Sequence, residues 1–227
     1  MPAKNTIKQY LGNGYYHIYN RGVEKRVIFQ DNQDYNVFLK YLAEYLSPKD
    51  EVGLKNQLAD PSLNSKERDR LLKLLRLNNF FLEVTLLAYC LMPNHFHLFI
   101  KQRNSTSIDK FMQSLLTIYS LYFNRKYQRV GTLFQSAYKA LLISSEDQYL
   151  HLTRYIHHQS TFQGNTLEPR KEQPSSYPEY LGNKVTSWVE PNEILSYFSK
   201  TNPNLSYESF VKQQDDFNLI GSYDLDN

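Results

Sequence analysis

The chain of 227 residues is poor in cysteine, in long apolar runs and in net charge. Its single cysteine, Cys90, excludes an internal disulfide, and its apolar surroundings predict a buried thiol in a reducing environment. No apolar run approaches the length of a membrane span, and no signal-peptide pattern is visible. These absences favour a cytoplasmic protein without a membrane partner.

Charge and aromatic content leave the class of partner open. The net charge at pH 7 is only +3 and the pI is about 8.7, which fits nucleic-acid binding only if the basic residues cluster. The chain holds 19 tyrosines and 13 phenylalanines. Aromatic rings can stack on unpaired bases, but we expect most of them in a core, for which the 41% of hydrophobic residues is sufficient.

The order of apolar patterns predicts the fold. Alternation indicates strands and helical spacing indicates helices, which places strands at 14–20, 80–91, 95–100 and 133–143, and helices at about 31–47, 107–127 and 146–159. The order β-α-β-β-α-β-α matches the split βαβ arrangement of ferredoxin-like proteins. We therefore expect an α+β fold with an antiparallel sheet and helices on one face.

Two regions lie outside this pattern. Residues 48–78 contain a polar, turn-rich stretch and then a short charged helix from Ser65 to Leu77, which indicates a surface insertion. Residues 165–227 are first rich in proline and polar residues, and then contain two short amphipathic pieces, at 189–198 and 207–211. We expect a main domain at 1–164 and a helical appendage that packs on it.

The segment from Met92 to Ile100 carries the first sign of chemistry. In a strand, His95, His97 and Phe99 would share one face while the intervening apolar residues face the core. Two adjacent imidazoles on a strand cost free energy unless a polar or ionic group meets them. Either they are hydrogen-bonded within the fold, or they bind a metal ion, for which neutral imidazole is a common ligand.

A second cluster lies on the predicted helix at 146–159. Tyr155 and Gln159 are four residues apart and share one helix face. An amide oxygen with two imidazoles is a plausible ligand set for Mg²⁺, which usually keeps waters and binds phosphate oxygens. A metal so placed can orient a phosphoryl group for attack by a deprotonated tyrosine.

These residues and several other segments resemble a known family. Residues 92–98 resemble the HUH motif of the single-tyrosine transposases of insertion sequences, and residues 155–159 resemble that family's catalytic helix. Further segments resemble the same family. His17–Gly22 resembles its first strand, and residues 122–126 and 131–136 resemble the stretch between its two motifs. Residues 174–177 resemble the downstream segment of its REP-associated branch. The ordered set covers about residues 10–180.

The resemblance implies an HUH-type enzyme that nicks single-stranded DNA, often at a hairpin-forming end, and transfers the strand through a 5′-phosphotyrosine. Carried over by position, Tyr155 is the nucleophile, and His95, His97 and Gln159 hold Mg²⁺ or Mn²⁺. Many REP-associated members have Asn-Pro where this chain has Gln159-Ser160, but glutamine retains an amide ligand. Family members act as monomers or homodimers, which leaves open whether Tyr155 acts within its own chain.

Further residues are candidates with weaker support. For contacts to DNA we expect phosphate binding by cationic side chains and base contacts by amides, and the candidates are Asn20, Arg21, Arg125, Lys126, Arg129 and Gln135.

Tyr119 and Tyr122 are rival nucleophiles, although neither has an amide four residues later. His151 lies one turn before Tyr155 and is a candidate to hydrogen-bond near its phenol, whereas His157 and His158 are expected on other faces, one towards DNA and one at the surface.

Two other functions compete with strand transfer. A domesticated protein of the same fold would bind hairpin DNA with weak or no cleavage, although the complete set of four site residues speaks against lost chemistry. A zinc hydrolase built on His95 and His97 would need a third His, Cys or carboxylate at ligand spacing, which the sequence does not offer.

Overall fold

A four-stranded antiparallel sheet organises the computed structural model, which describes residues 10–162 and 173–213. The strand order is β2-β3-β1-β4, with β1 (Tyr15–Arg21), β2 (Val84–Met92), β3 (His95–Gln102) and β4 (Lys139–Ile143). Helix α1 (Asn32–Leu46) connects β1 towards β2, and α4 (Ser107–Lys126) connects β3 to β4. This is the split βαβ topology, so the predicted α+β ferredoxin-like fold is confirmed.

One face of the sheet packs against α1 and α4. Ile18 of β1 and Phe96, Leu98 and Ile100 of β3 are fully buried on this face, as alternation along a strand requires. The helices contribute Phe38 and Leu42 from α1 and Phe111, Leu115, Tyr119 and Phe123 from α4. This layer is the main hydrophobic core.

The opposite face packs against α5 (Glu146–Thr161), which contacts β2 and β3. The prediction that the helices share one face therefore holds for α1 and α4 and fails for α5. A β-bulge between Leu86 and Ala88 places Leu87 and Ala88 together in the core beneath α5. Strand β2 is consequently buried on both faces, and a second core forms beneath α5.

Two elements differ from their predicted bounds. The fourth strand begins at Lys139 rather than Leu133, because Leu133 and Phe134 bury their side chains from a loop that is bonded to the end of β1. The insertion holds two helices, α2 (Glu51–Leu58) and α3 (Ser65–Arg76), where only the second was predicted. Helix α2 was not predicted because it buries no side chain, and its apolar residues therefore do not recur at helical spacing.

The C-terminal segment covers the outer edge of β2. The backbone of Leu91 donates to Pro174 and that of Ser176 donates to Tyr89, at 2.9 and 3.0 Å. Three short helices follow, α6 (Tyr177–Tyr180), α7 (Asn192–Leu195) and α8 (Tyr207–Lys212), of which α8 packs on α5. The expected boundary between 1–164 and 165–227 lies outside the described residues.

No helix within the described ranges is both long and apolar enough to span a membrane.

A buried carboxylate joins the start of α1 to the end of α4. Asp34 is fully buried and accepts hydrogen bonds from Lys126 Nζ, Tyr122 Oη and Tyr127 Oη, at 2.7, 2.9 and 2.8 Å. Lys126 also pairs with the exposed carboxylate of Asp31 at 2.8 Å. Because a buried carboxylate is stable only when its oxygens are paired, Asp34 anchors the two helices to each other.

We predict that Asp34→Ala lowers the free energy of unfolding by about 3 kcal/mol, because it leaves the hydroxyls of Tyr122 and Tyr127 without their acceptor and removes the buried one of the two carboxylates that pair with Lys126. Urea denaturation followed by circular dichroism measures the change. The matched control is Asp31→Asn, which removes an exposed ion pair but keeps an oxygen for the helix N-terminus, and it should alter stability little. Equal stability of the two variants would contradict the anchoring role.

Candidate active site

Strand β3 presents His95 and His97 to the face that α5 covers. Both imidazoles are buried, and their ring centroids are 5.0 Å apart. The antiparallel register sets Arg21 opposite His95 and Tyr19 opposite His97, and opposed residues of neighbouring strands point to the same face. The site therefore has β1 side chains along one side of the two histidines.

A third histidine lies beside them. His17 of β1 is fully buried, and its Nε2 lies 2.8 Å from Nδ1 of His97 with the two rings stacked at 5.0 Å. Burial lowers the pKa of His17 to about 3, and burial with the nearby charges of His95, His17 and Arg21 lowers the pKa of His97 well below its ordinary value. Both rings are therefore neutral at physiological pH.

The remaining ring nitrogen of His97 has no partner. Its Nε2 is buried and makes no hydrogen bond to any described residue, which costs about 1–3 kcal/mol for a typical buried polar atom. His95 differs, because its Nδ1 is held by the side-chain oxygen of Asn94 at 2.6 Å and its Nε2 faces the helix. In each of the two imidazoles, Nδ1 is therefore held by a neighbouring side chain and Nε2 is directed into the site.

Helix α5 brings the tyrosine and the amide to this position. The helix begins after Ser145, whose hydroxyl caps it by accepting from the Gln148 backbone at 3.2 Å, and acidic residues follow in the first turn. Leu152 and Ile156 bury one stripe of it against the sheet. This packing directs Tyr155 and the half-buried Gln159 at the histidines.

The four side chains meet across α5 and β3. Gln159 Nε2 donates to Tyr155 Oη at 2.9 Å, while its Oε1 lies 3.5 Å from His95 Nε2. The Tyr155 ring lies edge-on to His97 with centroids 5.4 Å apart. The sequence placed these residues some sixty positions apart, and the fold brings them into one group.

This donor set fits a divalent cation. Two imidazoles, each with one nitrogen directed inward, and one amide oxygen are ligands of the type that Mg²⁺ or Mn²⁺ can use alongside waters and phosphate oxygens. Within the described residues no group of three or more His, Cys, Asp or Glu side chains is arranged to hold a metal. The third imidazole, His17, bonds to His97 through Nε2, so the set does not resemble a closed zinc site.

Two cations lie close to the group. Arg21 is buried opposite His95, near enough for its charge to act on His97. Lys139 is exposed at the start of β4, opposite Tyr19, with its Nζ 5.6 Å from the centre of the Tyr19 ring. A buried guanidinium and an exposed ammonium on the same face suit the binding of successive phosphates.

The candidate amides at the end of β1 have different positions. Asn20 is buried, and its Nδ2 donates to the Ser136 carbonyl at 3.0 Å, which fixes the loop before β4. Gln135 lies in that loop with an exposed side chain, while its backbone donates to the Arg21 carbonyl at 2.9 Å. Gln135 is therefore available to a ligand, whereas Asn20 already holds the loop.

The candidate cations Arg125 and Lys126 lie in the last turn of α4, and Arg129 follows it. Arg125 is exposed. Lys126 is engaged by Asp31 and Asp34, and Arg129 donates to the Asn124 side chain at 3.0 Å. Arg125 thus retains an uncommitted charge, while the charge of Lys126 is neutralised within the fold.

The other histidines of α5 serve packing. His157 is fully buried and bonds to Tyr207 Oη and Ser176 Oγ at 2.6 and 2.8 Å, and His158 is buried with its ring 4.9 Å from that of Phe162. The expectation that one of them faces DNA and the other the surface is wrong, because the C-terminal segment covers this side of α5. His151 bonds to Arg154.

The rival tyrosines lie on the opposite face of the sheet. Tyr119 is fully buried and donates to the Ile28 carbonyl at 2.6 Å, and Tyr122 donates to Asp34. Both hydroxyls belong to the core between α1 and α4, so neither reaches the histidines.

Sequence reasoning missed His17 and Lys139. The signal for His17 was present, because Tyr15, His17, Tyr19 and Arg21 alternate along β1 and the ferredoxin-like order places β1 beside β3. Lys139 was missed because the fourth strand was predicted to start six residues too early. With that start, Lys139 lies in the middle of the predicted strand and not at its first residue.

Comparison with known proteins gives a family match and nine matching chains among solved structures, two of which are described here. Residues 59–159 match the model of the family described as transposase IS200 like. A REP-associated tyrosine transposase solved with a REP hairpin is 10% identical, with 83% of this chain and 98% of that chain covered and a TM-score of 0.44. A protein from Deinococcus radiodurans R1 assigned as a transposase is 19% identical, with coverages of 70% and 98% and a TM-score of 0.27.

A search of curated protein sequences finds no significant match. The family match spans both halves of the site, since His95, His97, Tyr155 and Gln159 all lie between residues 59 and 159. It also includes α3 of the insertion and all of β2, β3, α4 and β4. By this match, residues 59–159 are similar to the IS200-like transposase family.

Proposed function

We propose that this protein nicks single-stranded DNA and transfers the strand through a 5′-phosphotyrosine at Tyr155, with a divalent metal held by His95, His97 and Gln159. The observation that carries the proposal is the contact of Gln159 with both halves of the site. Its amide donates to the Tyr155 hydroxyl and directs its oxygen at His95. If Tyr155 served only to pack the core, its hydroxyl would not need a hydrogen bond from an amide that also faces the two oriented imidazoles.

The reaction forms one bond and breaks another at a single phosphorus. Tyr155 Oη attacks the scissile phosphodiester, the new Tyr–O–P bond forms, and the P–O3′ bond breaks. The phenolic proton leaves to solvent and the departing 3′ oxygen takes up a proton, which yields a free 3′-hydroxyl. The phosphotyrosine retains the energy of the diester, so a second 3′-hydroxyl can reverse the step and rejoin DNA.

The chain's own residues position the phosphate for this attack. Arg21 binds a non-bridging oxygen from the β1 side, and Lys139 holds the next phosphate at the exposed rim. A bound Mg²⁺ or Mn²⁺ supplies positive charge that polarises a phosphoryl oxygen and favours the phenolate. Arg125, Arg129 and Gln135 extend the proposed DNA contacts beyond the site, whereas Asn20 and Lys126 act through the fold.

The DNA partner is proposed as single-stranded and hairpin-forming. The REP-associated transposase to which this chain is remotely similar was solved with a REP hairpin. In the present chain both halves of the site come from one polypeptide, so we propose that Tyr155 acts on DNA bound to its own histidines. A monomer is then sufficient for cleavage.

We predict that Tyr155→Phe abolishes covalent attachment to DNA, because phenylalanine lacks the attacking oxygen while keeping the ring packing. A pool of labelled single-stranded hairpin oligonucleotides is incubated with the protein and Mn²⁺, and denaturing gels detect an adduct that mass spectrometry maps to a residue.

The matched control for this test is Tyr122→Phe, which removes a hydroxyl on the opposite face of the sheet and should leave the adduct yield within about twofold of the original protein. An adduct formed by Tyr155→Phe would disprove the nucleophile. Tight hairpin binding by the original protein without any adduct would instead favour the non-cleaving, domesticated alternative.

His17 has a positioning role in the proposed site. One proton lies between His17 Nε2 and His97 Nδ1, so two tautomer pairs are possible. Only the pair in which His97 donates from Nδ1 leaves a lone pair on its Nε2, as a metal ligand requires. We propose that His17 accepts this proton and so holds His97 in the binding tautomer.

We predict that His17→Phe weakens Mn²⁺ binding about 10–100-fold, the usual effect of losing a partner that orients a ligand. His17→Gln is the conservative control, because its amide oxygen can accept from Nδ1, and it should bind Mn²⁺ nearly as well as the original protein. Electron paramagnetic resonance of free Mn²⁺ measures both affinities without DNA.

Nitrogen-15 NMR of the metal-free original protein reports the tautomer independently of any variant. The proposal expects the His97 proton on Nδ1. A proton on Nε2, or equal Mn²⁺ affinity for the Phe and Gln variants, would overturn the role of His17.

A further inference from the structure

The face of the sheet opposite Tyr155 carries a groove that the proposed reaction does not use. Helix α3 of the insertion lies alongside α1 and α4 and encloses a cavity of about 460 Å³, which we call the α3 groove. Its members come from all three helices, so the insertion creates a surface that the ferredoxin-like core alone would lack.

The rim of the α3 groove is strongly cationic. Five cations line it, four on α3 and one on α1, namely Lys66, Arg70, Lys73, Arg76 and Lys40. A single carboxylate, Glu44, lines it with them. All five cations are exposed, and none forms an ion pair with another described residue.

Such a concentration of like charge has a cost within the helix itself. Lys66 and Arg70 are four residues apart, and like charges at this spacing destabilise a helix by a few tenths of a kcal/mol. Arg70 and Lys73 are neighbours on the same surface. An anion in the groove would relieve this repulsion, and several charges along one groove suit a polyanion better than a single small ion.

The floor of the groove is apolar. Leu74 of α3, Leu77 directly after α3, Ile118 of α4 and the half-buried ring of Tyr41 of α1 form it. A duplex would present only phosphates to the cationic rim, whereas a single strand also exposes base faces, which pack on aromatic and apolar side chains. The combination of cationic rim and apolar floor therefore favours single-stranded nucleic acid.

We propose that the α3 groove binds a single-stranded segment of the DNA on which the protein acts, with its phosphates on the rim and an unstacked base on the floor. The inference rests on the proposed function for the identity of the ligand. Because the groove lies across the sheet from Tyr155, it contributes to affinity and placement of the DNA and takes no part in bond formation.

The test compares two double variants that carry the same change in charge. Arg70→Glu with Lys73→Glu reverses two rim charges, and Lys110→Glu with Lys200→Glu reverses two exposed lysines outside the groove. Fluorescence anisotropy measures binding of a labelled single-stranded oligonucleotide and of the matching duplex over a range of salt concentrations. Thermal unfolding verifies that both variants are folded.

We expect the groove variant to bind single-stranded DNA at least tenfold more weakly at 0.1 M salt, while the control variant changes by less than twofold. The slope of log affinity against log salt should decrease in magnitude by about 1.4 for the groove variant, the effect of two lost phosphate contacts on a single strand. Weakening of duplex binding should be smaller.

Equal affinities of the groove and control variants for single-stranded DNA would overturn the proposal, as would a loss confined to the duplex. The covalent adduct at saturating DNA separates this outcome from failure of the proposed function. If the original protein forms the adduct but the groove variant binds normally, only the groove inference fails. If the groove variant loses affinity while the original protein forms no adduct, only the strand-transfer proposal fails.

Discussion

The packing of α5 against the buried face of β2 and β3 is the contact on which the rest of the site depends. Leu152 and Ile156 are almost completely buried in it, and each such side chain contributes about 1.5–3 kcal/mol when removed from water. Without this docking, the strand would present two histidines and the helix a tyrosine and an amide, with no contact between them. The C-terminal segment secures α5 from outside through the buried His157, Tyr207 and Ser176.

The buried imidazoles explain why this face differs from an ordinary core. His17 and His97 are fully buried and neutral, and one nitrogen of His97 has no partner among the described residues. A core optimised only for stability would replace them by apolar side chains of similar volume. Their presence beside Arg21 is consistent with a face that is built to meet charge.

Much of the fold could be predicted from the sequence, because each main element has its own apolar period and the order of elements restricts the topology. The group at His95, His97, Tyr155 and Gln159 was also identifiable, since the two pairs lie at strand and helix spacings. His17 was identifiable from alternation along β1 and the ferredoxin-like strand order, but its contact with Nδ1 of His97 depends on tertiary packing that the sequence pattern does not show. The burial of His157 and His158 also depends on residues distant in sequence. Helix α2 buries no side chain, so its apolar residues have no helical spacing from which to predict it.

A crystal structure of the protein grown with Mn²⁺, with anomalous diffraction recorded at the manganese edge, is the most direct test of the central claim that strand and helix form one site within a single chain. The account predicts one anomalous peak bonded to His95 Nε2, His97 Nε2 and Gln159 Oε1 of the same polypeptide, beside the Tyr155 hydroxyl. A peak at other residues, or one without Gln159, would contradict it.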